Sequence, residues 1–204
     1  MSQLQSTGQS VLSPELLNLL RATYYKSVPR QIRTLIQGGQ RDEIFQRAMA
    51  QFLKNPKACA QPGNPVLQDL IYGWGNEAWS ALDEYLAACI EHALATRGPI
   101  LECGTGLSTL LLGVIAKRRN ITHWALEHKP EWALKVQGYL DAYKLSTVIH
   151  ARPLKDYGDF CWYDAPLETM PDSFFLVVCD GPPSRTKGGR FGLIPVMRER
   201  LTLG

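Results

Sequence analysis

The sequence lacks any apolar run of the roughly 18 residues that a membrane-spanning helix needs. Its first residues also lack the basic and apolar stretches of a secretory signal peptide. Neither sign of charge dominates, because 22 Lys and Arg face 19 Asp and Glu, and no tract concentrates the basic residues. We therefore expect a cytoplasmic protein that does not enter membranes, and the composition does not indicate nucleic acid as a partner.

Cysteine is also scarce, with five widely spaced residues in a chain of 204. An odd number at such spacing disfavours a disulfide framework or a zinc site, so we expect reduced thiols that are mostly buried. Internal repeats and low-complexity tracts are missing as well. With 45% hydrophobic residues, the chain has enough apolar side chains for a substantial core, in one domain or in one domain plus an extension.

The N-terminal third is predicted to be helical. Ser13 precedes a proline and can cap a first helix, and residues 41–54 suit a second. Residues 78–96 carry apolar side chains at helical spacing up to a Gly-Pro stop. We place the boundary between a helical N-terminal region, residues 1–75, and a second domain, residues 76–204.

From residue 99 onward, short apolar runs alternate with amphipathic stretches. This alternation is typical of an α/β fold with a mostly parallel sheet. Residues 157–171, rich in aromatics and prolines, are expected to form a loop. The predicted strands cover residues 100–103, 121–127, 147–151 and 174–179. The predicted helices cover residues 108–117, 130–143 and 191–201.

A glycine-rich turn, Gly104-Thr105-Gly106, follows the first predicted strand and opens the next helix. Glycines let a ligand approach the backbone closely, although two glycines by themselves are equally compatible with a tight turn that binds no ligand. A dinucleotide-binding turn would carry a third glycine where Thr109 stands. The pattern therefore disfavours a diphosphate cradle.

Two acidic residues end the first two strands. Glu102, two positions before the first glycine, would repel a phosphate and suits a bound cation or amino group. Glu127 closes the second strand, where a carboxylate can accept hydrogen bonds from both ribose hydroxyls. Each acid has an alternative role as a helix cap or as the partner of a surface lysine. Together with the glycine turn they predict an adenosine-bearing ligand.

Asp180 follows the most apolar strand and enters a rigid turn of glycine and prolines. Ligands of open α/β sheets bind outside the carboxyl ends of the strands, where strand order reverses. Asp180 could position a substrate, contribute to a metal site or act as a base. Its alternative role is that of a turn-capping aspartate.

Several aromatic residues have two interpretations. Trp74 and Trp79 could cover a ligand, but packing of the N-terminal helices on the sheet is favoured. Trp162 and Tyr163 could shape a substrate pocket or form a small separate core under the loop.

Histidines and a basic loop complete the candidates. His92, His123 and His150 fall within apolar elements and are interpreted as hydrogen-bonded core residues. Residues 185–190 hold three basic side chains and two glycines, which could close over an anionic substrate or form a solvated connection.

Three motifs together resemble class I S-adenosylmethionine-dependent methyltransferases. They are E-C-G-T-G-L-S-T at residues 102–109, A-L-E-H-K-P-E-W at residues 125–132 and V-V-C-D-G-P-P at residues 177–183. The resemblance covers residues 70–204. It implies a Rossmann-like sheet with helices on both faces and S-adenosylmethionine as cofactor. It also implies methyl transfer to an oxygen or nitrogen atom, with a small molecule as the expected acceptor.

The resemblance also implies roles for individual residues. Glu102 would lie at the methionine end of the cofactor, with Ser108 near the methionine carboxylate. Glu127 would bind the ribose and His128 would lie beside the adenine. Asp180 would be the catalytic candidate, facing the transferred methyl group, and no metal site is assigned. The implied cofactor-binding residues are Glu102, Gly104, Thr105, Gly106, Ser108, Glu127, His128 and Leu154.

The family continues with further strands beyond the fourth, whereas this chain stops at Gly204, where the fifth would begin. We therefore expect the C-terminal strands of the full fold to be missing and the apolar edge of the fourth strand to invite a homodimer or another covering segment. This departure favours one alternative function, a non-catalytic or partner-completed remnant that acts as a binding module. A nicotinamide-dependent oxidoreductase is disfavoured, because no hydride-transfer constellation is recognisable.

Overall fold

The computed structural model describes residues 30–75 and 81–202, with side chains from residue 38 onward. A boundary between two compact units falls between Arg41 and Asp42, inside the first described helix. The description below concerns the unit that begins at Asp42. The predicted helix start at Ser13 and the aromatic residue Trp79 lie outside the described residues.

The elements alternate largely as the sequence predicted. The α-helices are α1 (Arg30–Lys54), α2 (Pro65–Trp74), α3 (Asp83–Ala95), α4 (Leu107–Arg119), α5 (Pro130–Ala142) and α6 (Leu193–Met197). The strands are β1 (Ile100–Cys103), β2 (His123–Glu127), β3 (Val148–Ala151), β4 (Leu154–Asp156), β5 (Cys161–Tyr163) and β6 (Leu176–Cys179).

Two local predictions need correction. The segment expected to be a loop, residues 157–171, contains β5, which pairs antiparallel with β4 to form a hairpin. The last predicted helix, residues 191–201, divides into the five-residue α6 and the 3-10 turn Arg198–Arg200. Both segments are short, so contacts with the rest of the fold outweigh their weak local periodicity.

The main sheet has four parallel strands in the order β3-β2-β1-β6. In the register, Cys103 pairs with Leu126 on one side and with Cys179 on the other. The carboxyl ends of β1, β2 and β6 therefore meet at one edge, with β1 at the point where strand order reverses. The predicted α/β class with a parallel sheet is confirmed.

The two faces of the sheet are covered differently. Ile100 and Val178 face a large core shared with α1 to α5. Leu101 and Cys103, which alternate with them, face a second core that contains Trp162 of the hairpin and Met197 of α6. Helices therefore flank both faces, but the second face depends on the hairpin as much as on its one short helix.

The C-terminal half of α1 belongs to the larger core. Phe45, Met49 and Phe52 recur at helical spacing and are almost completely buried. They share a cluster with Leu110 of α4 and Leu86 of α3. The helix that precedes the sheet by almost 50 residues thus contributes directly to the hydrophobic core of the α/β unit.

The outer edge of β6 is partly covered by the end of the described chain. Phe174 pairs in parallel with Leu201, and its N–H donates to the carbonyl of Arg200 at 2.7 Å. The N–H of Thr202 then donates to the carbonyl of Phe174 at 3.1 Å. Residues 200–202 therefore run beside the entry of β6, and within the described part of the chain no strand pairs with its outer edge farther along.

All five cysteines are free, as predicted, and Cys59, Cys89 and Cys103 are buried. Among residues 30–75 and 81–202, no helix combines the length and the apolar character that crossing a bilayer requires.

Arg118 stabilises the end of α1. Its guanidinium donates to the carbonyls of Leu53 at 2.5 Å and Lys54 at 2.9 Å, which lack partners within the helix. We expect Arg118→Ala to lower the free energy of unfolding by about 1 kcal/mol, because these carbonyls remain solvated after the loss. Urea unfolding followed by circular dichroism measures the change. The same exchange at exposed Lys57 is the control, and equal stability of both variants would contradict this role.

Candidate functional site

A cavity of about 370 Å³ opens at the carboxyl edge of the sheet, between the loops that follow β1, β2 and β6. The predicted site residues that line it are Gly104, Thr105, Gly106, Ser108, Glu127, His128 and Asp180. Two predicted residues, Glu102 and Leu154, do not line it. The sequence motifs thus converge on one cavity, although they are up to 76 positions apart in the chain.

Gly104 brings the first and last of these loops into contact. It has a φ of +88°, and a Cβ at this position would lie 2.8 Å from the backbone nitrogen of Gly181. The N–H of Gly181 donates to the carbonyl of Cys103 at 2.6 Å, so the two backbones are tied together. Gly106 has an extended backbone with a φ of 179° and open space around its Cβ position. The turn therefore requires glycine at position 104 but not at position 106.

The N-terminus of α4 faces the cavity beside this turn. The N–H of Gly106 donates to Oγ1 of Thr109 at 2.8 Å, which caps the helix start. Leu107 and Ser108, in the first turn, line the cavity. First-turn N–H groups lack partners within the helix and favour negatively charged groups of a ligand.

Glu127 is almost completely buried and accepts four hydrogen bonds. Its Oε2 accepts from the N–H and the hydroxyl of Thr105 at 3.0 and 2.9 Å. Its Oε1 accepts from the N–H groups of His128 and Lys129 at 2.8 and 3.0 Å. Trp132 fixes the same turn by donating from Nε1 to the carbonyl of Thr105 at 2.8 Å. Glu127 therefore bonds to the loops that lead into α4 and α5 without capping either helix, and it lines the cavity.

Glu102 lies behind the cavity wall. Its side chain is fully buried on the α4 face of β1, and its Oε1 accepts a hydrogen bond from the hydroxyl of Ser108 at 2.5 Å. Its Oε2 lies 3.3 Å from Nε2 of His123. Ser108 thus stands between Glu102 and the cavity, whereas the sequence predicted direct contact between Glu102 and a ligand. Alternation along β1 places Glu102 on the same face as Ile100, a signal already present in the sequence.

The three histidines interpreted as core residues differ in their surroundings. His123 is buried, and its Nδ1 lies 3.0 Å from Oγ1 of Thr147. His150 is half-buried and stacks on Trp124 with ring centroids 4.4 Å apart. The core interpretation is wrong for His92, which is exposed on α3. Within residues 30–75 and 81–202, no cluster of three or more His, Cys, Asp or Glu side chains offers a metal site.

Asp180 lies at the rim of the cavity and is paired with Arg190. The Nε of Arg190 donates to the carbonyl of Asp180 at 2.9 Å, and Nη2 donates to Oδ1 at 2.9 Å. Both side chains are about half exposed. Lys187 of the same basic loop pairs with Asp156 at 3.4 Å. The loop is thus anchored at two points, and one anchor is the carboxylate predicted to be catalytic.

One wall of the cavity is aromatic. Trp132, the last letter of the second motif, and Trp74 both line it, with their rings at 90° and 6.2 Å apart. Trp74 also packs on Tyr139 at 4.9 Å and on Phe45 at 5.9 Å. The favoured packing role of Trp74 is therefore confirmed, together with a position in the cavity wall. No role was assigned to Trp132 from the sequence, although it belongs to a quoted motif.

Trp162 and Tyr163, expected to shape a substrate pocket or to form a small separate core, differ in their positions. Both are fully buried, but Trp162 lies in the second core and only Tyr163 also lines the cavity. Burial raises the pKa of Tyr163 and keeps its phenol protonated. Leu154, its partner in the hairpin, packs on the second core. The predicted place of Leu154 in the site is thus taken by the residue opposite it.

Two thiols lie beneath the contact between Gly104 and Gly181. Cys103 and Cys179 are neighbours in the register of β1 and β6. The hydrogen bond between them raises the pKa of Cys103, with burial adding to the effect, and lowers the pKa of Cys179. Each cysteine immediately precedes a site residue, so these thiols pack the floor under the two loops.

Comparison with protein-family models finds no match to this sequence. Comparison with characterised proteins and with solved structures likewise finds no match.

Proposed function

We propose that the chain binds S-adenosylmethionine in this cavity and transfers its methyl group to an oxygen or nitrogen atom of a small molecule. The observation that carries the proposal is the pair of buried carboxylates, Glu102 and Glu127, beside the glycine turn at the carboxyl edge of a parallel sheet. We assign the sheet to the Rossmann-like class on the same grounds. The sequence motifs described above, which contain these residues, point to the same assignment.

The charges around the turn favour a cationic amino-acid ligand over a diphosphate. Glu102 lies directly behind Ser108, close to where a Rossmann-type diphosphate would bind, and its charge would repel that group. A sulfonium or ammonium group at the same place is attracted instead. The methionine end of S-adenosylmethionine carries both of these groups and a carboxylate, which the first turn of α4 can bind.

The proposed orientation follows from the lining residues. Glu127 ends β2 beside the glycine turn and would receive the ribose hydroxyls, exchanging the contacts of its Oε2 with Thr105 for them. His128 and Trp132 would border the adenine. The sulfonium would then point toward Asp180 on the neighbouring loop.

The transfer itself is a direct displacement. The lone pair of the acceptor atom forms a bond to the methyl carbon while the carbon–sulfur bond breaks, and its electrons remain on sulfur as the neutral thioether. Alignment of the two reactants supplies most of the acceleration. Asp180 would orient the acceptor and take its proton when the acceptor must lose one, after Arg190 shifts away from the carboxylate.

A second candidate function is a binding module that retains the cofactor cavity without transfer or requires a partner to complete it. The pairing of Asp180 with Arg190 favours it, because an engaged carboxylate is less available as a base. Cofactor binding is common to both candidates, and only turnover distinguishes them.

Isothermal titration of S-adenosylmethionine, S-adenosylhomocysteine and NAD⁺ into the purified chain tests the proposal. We expect micromolar affinity for the first two ligands and no measurable affinity for NAD⁺. A folded protein that binds neither sulfur-containing ligand would refute the cofactor proposal. If the chain bound S-adenosylmethionine but formed no S-adenosylhomocysteine with any small-molecule acceptor in a screen, the binding-module function would be favoured instead.

A further inference from the structure

A row of buried polar side chains leads from the start of β3 to the cavity. Oγ1 of Thr147 lies 3.0 Å from Nδ1 of His123, and Nε2 of His123 lies 3.3 Å from Oε2 of Glu102. Oε1 of Glu102 accepts a hydrogen bond from the hydroxyl of Ser108 at 2.5 Å, and Ser108 lines the cavity. All four of these residues are buried.

The fold makes room for this row. Gly113 of α4 packs so closely on it that a Cβ there would lie 2.6 Å from Oγ1 of Thr147. The helix therefore covers the polar row along its length, from Gly113 to Ser108 in its first turn. A closely covered polar row inside an otherwise apolar core is costly unless its members hold one another in place.

One hydrogen bond in the row has a fixed direction, because the hydroxyl of Ser108 donates to Glu102. Oγ1 of Thr147 and Nδ1 of His123 share a second hydrogen bond, whose direction depends on the tautomer of the ring. Nε2 of His123 lies 3.3 Å from Oε2 of Glu102 in a close polar contact that is not a hydrogen bond. At the other end, Ser108 uses its only hydrogen on Glu102.

The hydrogen bond to Glu102 determines what the Ser108 hydroxyl can offer to a ligand in the cavity. With its proton committed to Glu102, the hydroxyl of Ser108 presents lone pairs to a ligand and can accept a hydrogen bond. Glu102 has no Lys or Arg partner within the described residues, so its charge reinforces this preference for a donor. A ligand carboxylate would meet repulsion at the Ser108 hydroxyl itself, although the resemblance places one near Ser108.

We infer that Ser108 accepts a hydrogen bond from the α-ammonium group of the ligand, and that His123 and Thr147 are positioning residues that hold Glu102 for this purpose. The inference rests on the proposed function, since it names the part of S-adenosylmethionine that this corner of the cavity recognises. The α-carboxylate would then be bound by the backbone N–H groups of the first turn of α4.

The test compares S-adenosylhomocysteine with its deaminated analogue, in which hydrogen replaces the α-amino group. We expect the wild type to bind S-adenosylhomocysteine at least 10-fold more tightly. Ser108→Ala should remove this preference by weakening S-adenosylhomocysteine alone. Thr147→Val should reduce the preference about threefold, and Thr147→Ser, which keeps the hydroxyl, should restore it. Titration calorimetry gives both affinities for each variant.

Each outcome has a distinct meaning. If Ser108→Ala and Thr147→Val lowered the affinity for both ligands equally, the row would have only a structural role and the inference would be overturned. Equal affinity of the wild type for the two ligands would also overturn it, while the cofactor proposal would stand. A wild type that binds neither ligand would refute the cofactor proposal, and the inference with it.

Discussion

Replacing Gly104 by alanine is expected to lower the free energy of unfolding by about 3 kcal/mol and to abolish binding of S-adenosylmethionine. Alanine is strained at a φ of +88°, and its Cβ would lie 2.8 Å from the nitrogen and 3.0 Å from the Cα of Gly181. Gly181 cannot retreat easily, because its N–H is bonded to the carbonyl of Cys103. Separation of the two loops would displace Asp180 as well.

Gly106→Ala is the matched control for this change. Its backbone is extended and the space at its Cβ position is open, so we expect a loss of stability below about 0.5 kcal/mol. Urea unfolding measures both variants, and calorimetry measures their cofactor affinity. If Gly104→Ala were as stable as Gly106→Ala, the contact between Gly104 and Gly181 would not be an essential part of the fold.

Glu127→Gln is expected to weaken S-adenosylhomocysteine binding about 100-fold. Hydrogen bonds to a charged group contribute about 1.5 to 3 kcal/mol, and an amide offers one accepting oxygen where the carboxylate offers two. The NH₂ group would face either the donors of Thr105 and the ribose or the N–H groups of His128 and Lys129. The ribose hydroxyls would therefore lose an acceptor, the turn would be distorted, or both.

Glu131→Gln provides the control for Glu127→Gln. Glu131 lines the same cavity from the first turn of α5 but is exposed, so its exchange should change the affinity less than threefold. Thermal unfolding of both variants separates a lost ligand contact from a lost fold. A folded Glu127→Gln protein with wild-type affinity would contradict the role of Glu127 in binding the ribose.

The cavity combines a half supported by buried groups and a more exposed half. Buried groups and main-chain hydrogen bonds hold Glu102 and Glu127, whereas Asp180 and Arg190 are half exposed at the rim. This division suits a protein that binds one constant ligand deeply and meets its second substrate at the surface. Exposure at the rim would let the chemistry of the proposed second substrate vary without disturbing the half proposed to bind the cofactor.

Much of the site could be predicted because parallel strands bring their carboxyl ends to one edge. Once β1, β2 and β6 are recognised from their apolar runs, the residues that follow them must lie near one another. Gly104, Glu127 and Asp180 were found in this way. Alternation along β1 would also have placed Glu102 on the helix-covered face with Ile100, away from Leu101 and Cys103.

The sequence by itself determined the α/β order, the glycine turn and the acids at the strand ends, because these depend on local periodicity and on a single topological rule. Only the tertiary structure decided which side chains complete the cavity. Trp74 and Tyr163 reach it from a distant helix and from a hairpin with no clear local pattern. The Ser108 hydroxyl faces Glu102, and Arg190 is held on Asp180, through contacts between separate elements. Such contacts cannot be predicted from local sequence patterns, because they form only when distant elements pack together.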